Sequence, residues 1–507
     1  MASAPSARNF IEPSSSGRLA PLAHHGAAVG LILLIALFYG LTIRQGHEWG
    51  DDFAMYIHQA DNIVANRSSD GTGFVFNPHE AGYSPAAYPP MFPALLAPVI
   101  KLYGHNLTAM KLEQIAFFAL ALGLIYVYYR RELPWPYLLA LIAILGFNPS
   151  FWEAKDRIGS DIPFLMLVFL SAALVYPPSR RLPAWWGWGQ SVALGLTLYV
   201  CCSMRSLGLT LLPGLVLYEL ARHRKLTRLA IVAPALCLLI MFLQRKLLAT
   251  SLTSYTSMFL PTVHMVLSNA IGYSRDVAEI WPRSAGKAYA HLLFVITLLA
   301  AAYGVSRRAR RGWTPMEAFL PFYAIALLLW PGHGGIRYLY PFVPVYLFYA
   351  LLGFREVAAS RGPRVERAAA AVFLLLIAFP YAAQYRQANY GTIPESVGLP
   401  SFVDLCRYID RNTGPADIFV FRRPRALSLF AGRPTSIYTL DAAASQPENE
   451  WAYFRQIEAK YAVVATGQFP EDAEILMPAL ESNSASVDLV YRNSDFALYR
   501  LRYSSQP

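Results

Sequence analysis

The sequence predicts a polytopic α-helical membrane protein with a small water-soluble α/β domain at its C-terminal end. Three observations lead there. The chain is 55% hydrophobic and only 15% charged over 507 residues, which is too apolar for an ordinary soluble protein. Its apolar residues gather into long runs, and the loops between them alternate between arginine-rich and arginine-poor. From about Ile393 the composition becomes that of a soluble module.

The runs fall at about 26–44, 107–129, 135–149, 161–177, 190–204, 207–221, 228–247, 288–306, 316–331, 338–354 and 367–384. Since ~20 apolar residues are needed to cross a bilayer, this predicts about eleven spans, although the shorter runs also suit broken or re-entrant helices. Residues 1–25 precede them as a disordered, Ser/Pro/Ala-rich cytoplasmic segment. The first run has no small-residue cleavage site, so a retained span is expected in place of a signal peptide.

Arg130/Arg131, Arg180/Arg181, Arg222/Arg224/Lys225/Arg228, Arg307/Arg308/Arg310/Arg311 and Arg355/Arg361/Arg364/Arg367 occupy alternate loops. Such loops stay in the cytoplasm. The formal charge of +11 is therefore a topology signal and does not point to nucleic acid. The loops 45–106, 148–160 and 248–287, the short turns at 203–206 and 332–337, and everything after about 385 are expected on the outer face of an inner (plasma) membrane. The four cysteines form no disulfide framework or zinc spacing.

The stretch His47-Glu48-Trp49-Gly50-Asp51-Asp52 opens the first outer loop, and Phe53, Tyr56, Ile57, Ala60, Ile63 and Val64 follow at helical spacing. This predicts a helix along the membrane surface with Asp52 at its N-terminus. An Asp there is adequately explained as a helix cap. Two adjacent acids at a membrane edge bear a desolvation cost that a capping serine avoids, which marks them as functional candidates. Further on, Tyr88-Pro89-Pro90 sets an extended entry into a short apolar helix.

The second outer loop carries Lys155, Asp156, Arg157, Ser160 and Asp161. Asp161 can face the same cavity as Asp52, with Lys155 and Arg157 holding an anion. The plain alternative is a solvated loop of internal ion pairs with Ser160 or Asp161 as a cap. Arg205 and Arg337 are isolated on the outer side, against the charge rule, where a guanidinium either snorkels or meets a fixed anion such as phosphate. Outer histidines, His333 among them, lack a tight metal-ligand spacing and read as interface residues; a divalent metal stays open as an accessory.

In the region from 393 to 507, helices are expected at 402–409, 425–430, 451–459 and 471–481. Strands are expected at 418–421, 435–438 and 461–465, with a closing hairpin of 487–491 and 496–501.

Taken in order, Gly50-Asp51-Asp52-Phe53-Ala54-Met55-Tyr56, Tyr88-Pro89-Pro90-Met91-Phe92-Pro93, Ser160-Asp161-Ile162-Pro163-Phe164, Arg205-Ser206-Leu207-Gly208 and Arg337-Tyr338-Leu339-Tyr340-Pro341 resemble the GT-C membrane glycosyltransferases. The group of protein O-mannosyltransferases and aminoarabinose transferases is the nearest likeness, over about residues 26–385. The resemblance implies a GT-C transmembrane catalytic domain, a polyprenyl-phosphate sugar donor and an active site at the outer face. It also implies a catalytic acid at Asp52, with Asp51 beside it and Asp161 as second acid, and substrate contacts from Arg337, Arg205, Lys155, Tyr88 and Tyr338. Tyr88 departs from the aminoarabinose type, which carries a lysine there. The acceptor, whether lipid, glycan or protein, is not written in the sequence. A transporter or flippase of lipid-linked sugar is the main rival, for which inverted repeats would be the mark; none is seen. A membrane anchor for an outer binding domain is the other.

Overall fold

A computed structural model describes residues 19–503 apart from 70, 81–82, 84–86, 177–185, 249–261, 310–311, 331–332, 395–396 and 441–444. The N-terminal segment up to residue 18, the Arg180/Arg181 turn and the first part of the 248–287 loop lie outside the described residues.

Among the described residues each predicted apolar run is helical over most of its length. In chain order the helices are α1 (Leu19–Leu41), α2 (Asp52–Val64), α3 (Met91–Tyr103), α4 (Leu107–Tyr129), α5 (Trp135–Gly146), α6 (Pro149–Ala154), α7 (Asp161–Val175), α8 (Trp186–Met204), α9 (Leu211–His223), α10 (Arg228–Leu248), α11 (Val263–Ala278), α12 (Lys287–Ala309), α13 (Pro315–Leu328), α14 (Phe342–Ala359) and α15 (Pro363–Gln387). Among the described residues, six are long and apolar enough to cross a membrane: those beginning at Ala23, Leu107, Arg228, Lys287, Phe342 and Pro363. Helices α5, α7 and α13, of 12, 15 and 14 residues, reach only about 18–22 Å at ~1.5 Å per residue, short of a ~30 Å hydrocarbon core. Eleven crossings therefore require short helices to be continued by flanking turns, such as the 3₁₀ turn Ser206–Thr210 before α9.

The ends of α4, α7, α12 and α14 meet at one end of the bundle. Arg308 contacts Glu132 at 3.2 Å and Arg307 contacts Glu356 at 3.6 Å. The Tyr176 hydroxyl donates to Glu132 at 2.7 Å, tying the end of α7 to the same place.

The C-terminal region adds α16 (Pro400–Asn412), α17 (Pro424–Ala431), α18 (Pro447–Gln456) and α19 (Met477–Glu481) around a six-stranded sheet. Its strands are β1 (Phe74–Val75), β2 (Ile418–Val420), β3 (Thr435–Ser436), β4 (Ala459–Ala465), β5 (Val487–Arg492) and β6 (Phe496–Leu501), in spatial order β1-β3-β2-β4-β6-β5. The β1, β2, β3 and β4 pairings are parallel, and the β5–β6 hairpin closes the sheet antiparallel.

The structure adds to one expectation and corrects another. The sheet of the 393–507 domain takes one strand from outside that range, because β1 comes from the first outer loop and pairs with β3. The same loop sends Trp49, only 5% exposed, into a box of Phe402, Phe421, Phe469 and Phe496, where its indole N–H donates to Gln468 at 3.1 Å. Helix α2 does not lie on a surface with one wet face. Its residues Phe53 to Ile57, Gln59, Ala60 and Asn62 are buried, because α3 covers one side and α17 of the C-terminal domain covers another.

Candidate active site

Two acids are delivered to one place by two helix starts. Asp52 is the first residue of α2 and Asp161 the first of α7, where the positive ends of the helix dipoles favour negative charge. The loops that carry them are bolted together. The His47 ring donates through Nδ1 to the Glu48 carbonyl at 2.8 Å and accepts at Nε2 from the Ile158 N–H at 3.0 Å. Burial pushes its pKa down to about 3, so it stays neutral and keeps that tautomer. Tyr56, one turn beyond Asp52, bonds Ser160 at 3.0 Å. Buried Asp156 gathers Arg44 at 2.7 Å and Lys155 at 2.7 Å, while Lys111 donates to the carbonyls of Arg44 and Gly46 at 2.7 and 2.6 Å.

The result is a cavity of about 310 Å³, within the range of small-ligand sites, with Asp52, Asp161, Glu48, Arg157, Arg205 and Arg337 in its lining. Each guanidinium meets one carboxylate: Arg157 with Glu48 at 2.8 Å, Arg337 with Asp52 at 3.2 Å, and Arg205 with Asp161. Tyr338 lies between two of the cations, 4.6 Å from Arg205 and 5.5 Å from Arg337 by ring centroid. Gly334 permits this, since a Cβ there would sit 2.2 Å from the Tyr338 ring.

Asp52 is held from three elements. Its Oδ1 accepts from the Tyr88 hydroxyl at 2.6 Å and lies 3.6 Å from Arg425, and its Oδ2 accepts from Arg337. Tyr88 is fixed in turn by Gln59 of α2, which bonds both its N–H and its carbonyl, at 3.3 and 3.0 Å. Burial works to raise the Asp52 pKa, but Arg337, Arg425 and the Tyr88 hydroxyl outweigh it and hold the carboxyl below its ordinary value. Its side chain is 37% exposed, and that exposure faces the cavity.

Among the sequence candidates, Asp52, Asp161, Arg205, Arg337, Tyr88 and Tyr338 all line this cavity. Asp51 and Lys155 do not. Asp51 stands at the N-cap position of α2 without a capping side-chain bond. Its carboxylate instead accepts from the backbone N–H groups of Arg425 and Ala426 at 3.2 and 2.9 Å and from the Tyr83 hydroxyl at 3.0 Å, capping α17 of the other domain. Burial raises its pKa against the pull of Arg425. Lys155 is 2% exposed, spent on Asp156 and stacked 4.1 Å from the Trp152 ring. The helical turn after α6 directs Arg157, two residues on, to the cavity instead.

Sequence reasoning missed Arg425. It is 1% exposed, donates to the Tyr88 hydroxyl at 2.9 Å and stacks on Phe74, Tyr83 and Tyr88. Nothing local marks it, since its partners lie more than 300 positions away. Arg425→Lys keeps the charge but loses the fork and the stacking. It is expected to cost about 1–3 kcal/mol in thermal or denaturant unfolding of the detergent-solubilised protein.

A divalent metal needs several free oxygen or nitrogen donors. Among the described residues no group of three or more His, Cys, Asp or Glu could hold one, and the three cavity carboxylates each already face an arginine.

The chain has the GT-C fold. ArnT from Cupriavidus metallidurans, solved bound to undecaprenyl phosphate, superposes with a TM-score of 0.58 at 15% identity, over 94% of this chain and 99% of that one. The oligosaccharyltransferase AglB from Archaeoglobus fulgidus, solved with an inhibitory peptide and a dolichol-phosphate, gives 0.60 at 13% identity over 89% of this chain and 70% of that one. A second structure of the Archaeoglobus enzyme, with Zn and sulfate, gives 0.58 at 13% over 86% and 68%. No protein-family model and no curated protein matches the sequence.

Proposed function

We propose that this protein is a membrane glycosyltransferase that moves a sugar from a polyprenyl-phosphate donor to an acceptor hydroxyl, with inversion, at the extracytoplasmic face. The observation that carries the reading is the pairing of Asp52 with Arg337 in one cavity beside Arg205 and Asp161, at the end of the bundle away from the basic turns. Asp52 takes the proton of the acceptor hydroxyl as general base. The acceptor oxygen bonds to the anomeric carbon, the bond from that carbon to the phosphate oxygen breaks, and its electron pair leaves with the phosphate against Arg337 and Arg205. Donor binding draws Arg337 toward phosphate and so removes part of what depresses the basicity of Asp52. Asp161 orients Arg205. The GT-C fold shared with proteins solved bound to undecaprenyl phosphate or dolichol-phosphate supports this donor class.

The test is incubation of purified protein with a panel of labelled undecaprenyl-phosphate sugars, with and without chelator. The expected result is loss of sugar from one donor and release of undecaprenyl phosphate, with the chelator arm reporting whether a divalent metal takes part. Movement of intact lipid-linked sugar across vesicles without its consumption would favour transport instead.

A further inference from the structure

Helix α11 presents Asn269, Gly272, Tyr273 and Asp276, at i, i+3, i+4 and i+7, along one face. All four hold the segment that leads from α13 to Arg337. Asn269 donates to the carbonyls of Leu327, Leu328 and Trp330, the last at 2.8 Å. The Tyr273 hydroxyl accepts from the Gly334 N–H at 3.4 Å, and its ring leans on His333 with centroids 4.7 Å apart. A Cβ on Gly272 would lie 2.7 Å from His333 Nε2. Asp276, 7% exposed, has its Oδ2 2.8 Å from that same nitrogen, an ion-pair contact without hydrogen-bond geometry.

His333 lines the cavity, and the neighbouring Gly334 carbonyl accepts from Arg337 Nε at 3.3 Å, so the imidazole and the guanidinium share one wall. The opposite face of α11, with Val263, Leu267 and Ile271 78%, 58% and 53% exposed, has the pattern of a helix resting in the bilayer interface. One helix thus presents an apolar face outward and grips the cavity loop with the other. An aspartate beside a histidine that lines a cavity places an imidazole where it can exchange a proton with a bound group.

We propose that His333, held beside Asp276, is the acid that protonates the departing phosphate; the inference rests on the polyprenyl-phosphate reading above. As the bond from anomeric carbon to phosphate oxygen breaks and its electron pair passes to that oxygen, the imidazolium transfers one proton from Nδ1 to the phosphate and becomes neutral. The proton of the acceptor hydroxyl goes to Asp52, and solvent restores both groups between turnovers. The ionisable groups around the dyad are Tyr273 and Asp276 on α11, Glu279 just past its end, and Arg337 on its own loop. Arg205, Asp161 and Asp52 complete the cavity.

The experiment measures kcat against pH with whichever labelled undecaprenyl-phosphate sugar the panel identifies, for wild type, His333→Gln, Asp276→Asn and Asn269→Ala. His333→Gln is expected to lower kcat about 10²-fold and to abolish the basic limb. Asp276→Asn is expected to shift that limb to lower pH, because the imidazolium loses its counter-charge. Asn269→Ala, which loosens the clamp without touching a titrating group, leaves the limb where it is. Should His333→Gln fail to accumulate, the Asp276→Asn limb decides, and an unmoved limb overturns the proposal. Asp52→Asn is run alongside. Retained transfer there, or a panel in which no donor is consumed, overturns the parent reading and this proposal with it. Loss in Asp52→Asn with an unmoved basic limb in His333→Gln overturns the His333 role alone.

Discussion

Asp52→Asn is expected to reduce sugar transfer about 10²–10⁴-fold while the protein accumulates in membranes at the wild-type level. The amide fills the same space and can still accept from Tyr88, but it takes no proton. It also leaves Arg337 without its carboxylate, so donor phosphate meets a freer guanidinium. The loss should therefore fall on kcat, with KM for the donor unchanged or lower.

The acid limb of the wild-type profile carries the complementary signal. Burial alone would raise the Asp52 pKa; Arg337, Arg425 and Tyr88 reverse that and hold it below its ordinary value. A depressed carboxyl contributes stability that is complete above its unfolded pKa of about 3.9 and is lost as pH falls through the folded value. Activity follows the same carboxyl, so kcat/KM should hold until pH drops below the usual carboxylate range. Once phosphate engages Arg337, the carboxylate is less stabilised, and the acid limb of kcat should lie above that of kcat/KM. Near-wild-type transfer by Asp52→Asn would remove it as the base.

What was legible in the chain follows from how far each signal reaches. Asp161, Arg205 and Arg337 could be chosen because charge on the arginine-poor side of a membrane chain has few bland explanations. The strands and helices after residue 400 were legible because their alternation is local. Asp51 looked equivalent to Asp52, and only the fold separates them: one caps α17, 375 positions later, and the other faces the cavity. Lys155 and Arg157 were indistinguishable as two cations in one short loop, and the turn after α6 sends them in different directions. Strand β1 is two residues long, below any usable periodicity, yet it binds the first outer loop to the C-terminal sheet. Arg425, Asp276 and His333 escaped for the same reason, since each acquires its meaning from a partner brought near by tertiary packing.

Arg337→Met should be the second most damaging change, with kcat falling about 10²–10³-fold, as for other removals of a donor from developing negative charge. Its pH signature distinguishes two jobs. Arg337 is the leading charge that lowers the Asp52 pKa, so removing it lets burial prevail and the carboxyl pKa rises. The acid limb then moves to higher pH, and activity is lost sooner on acidification. Arg337→Lys retains a charge near Asp52 but not the two-pronged donation that suits phosphate. It should restore the limb more fully than the rate. If Arg337→Met shifts the limb while kcat at its plateau and donor KM stay at wild-type values, Arg337 serves Asp52 only. The phosphate contact would then have to be made by Arg205, whose guanidinium is paired with Asp161 across the face of Tyr338.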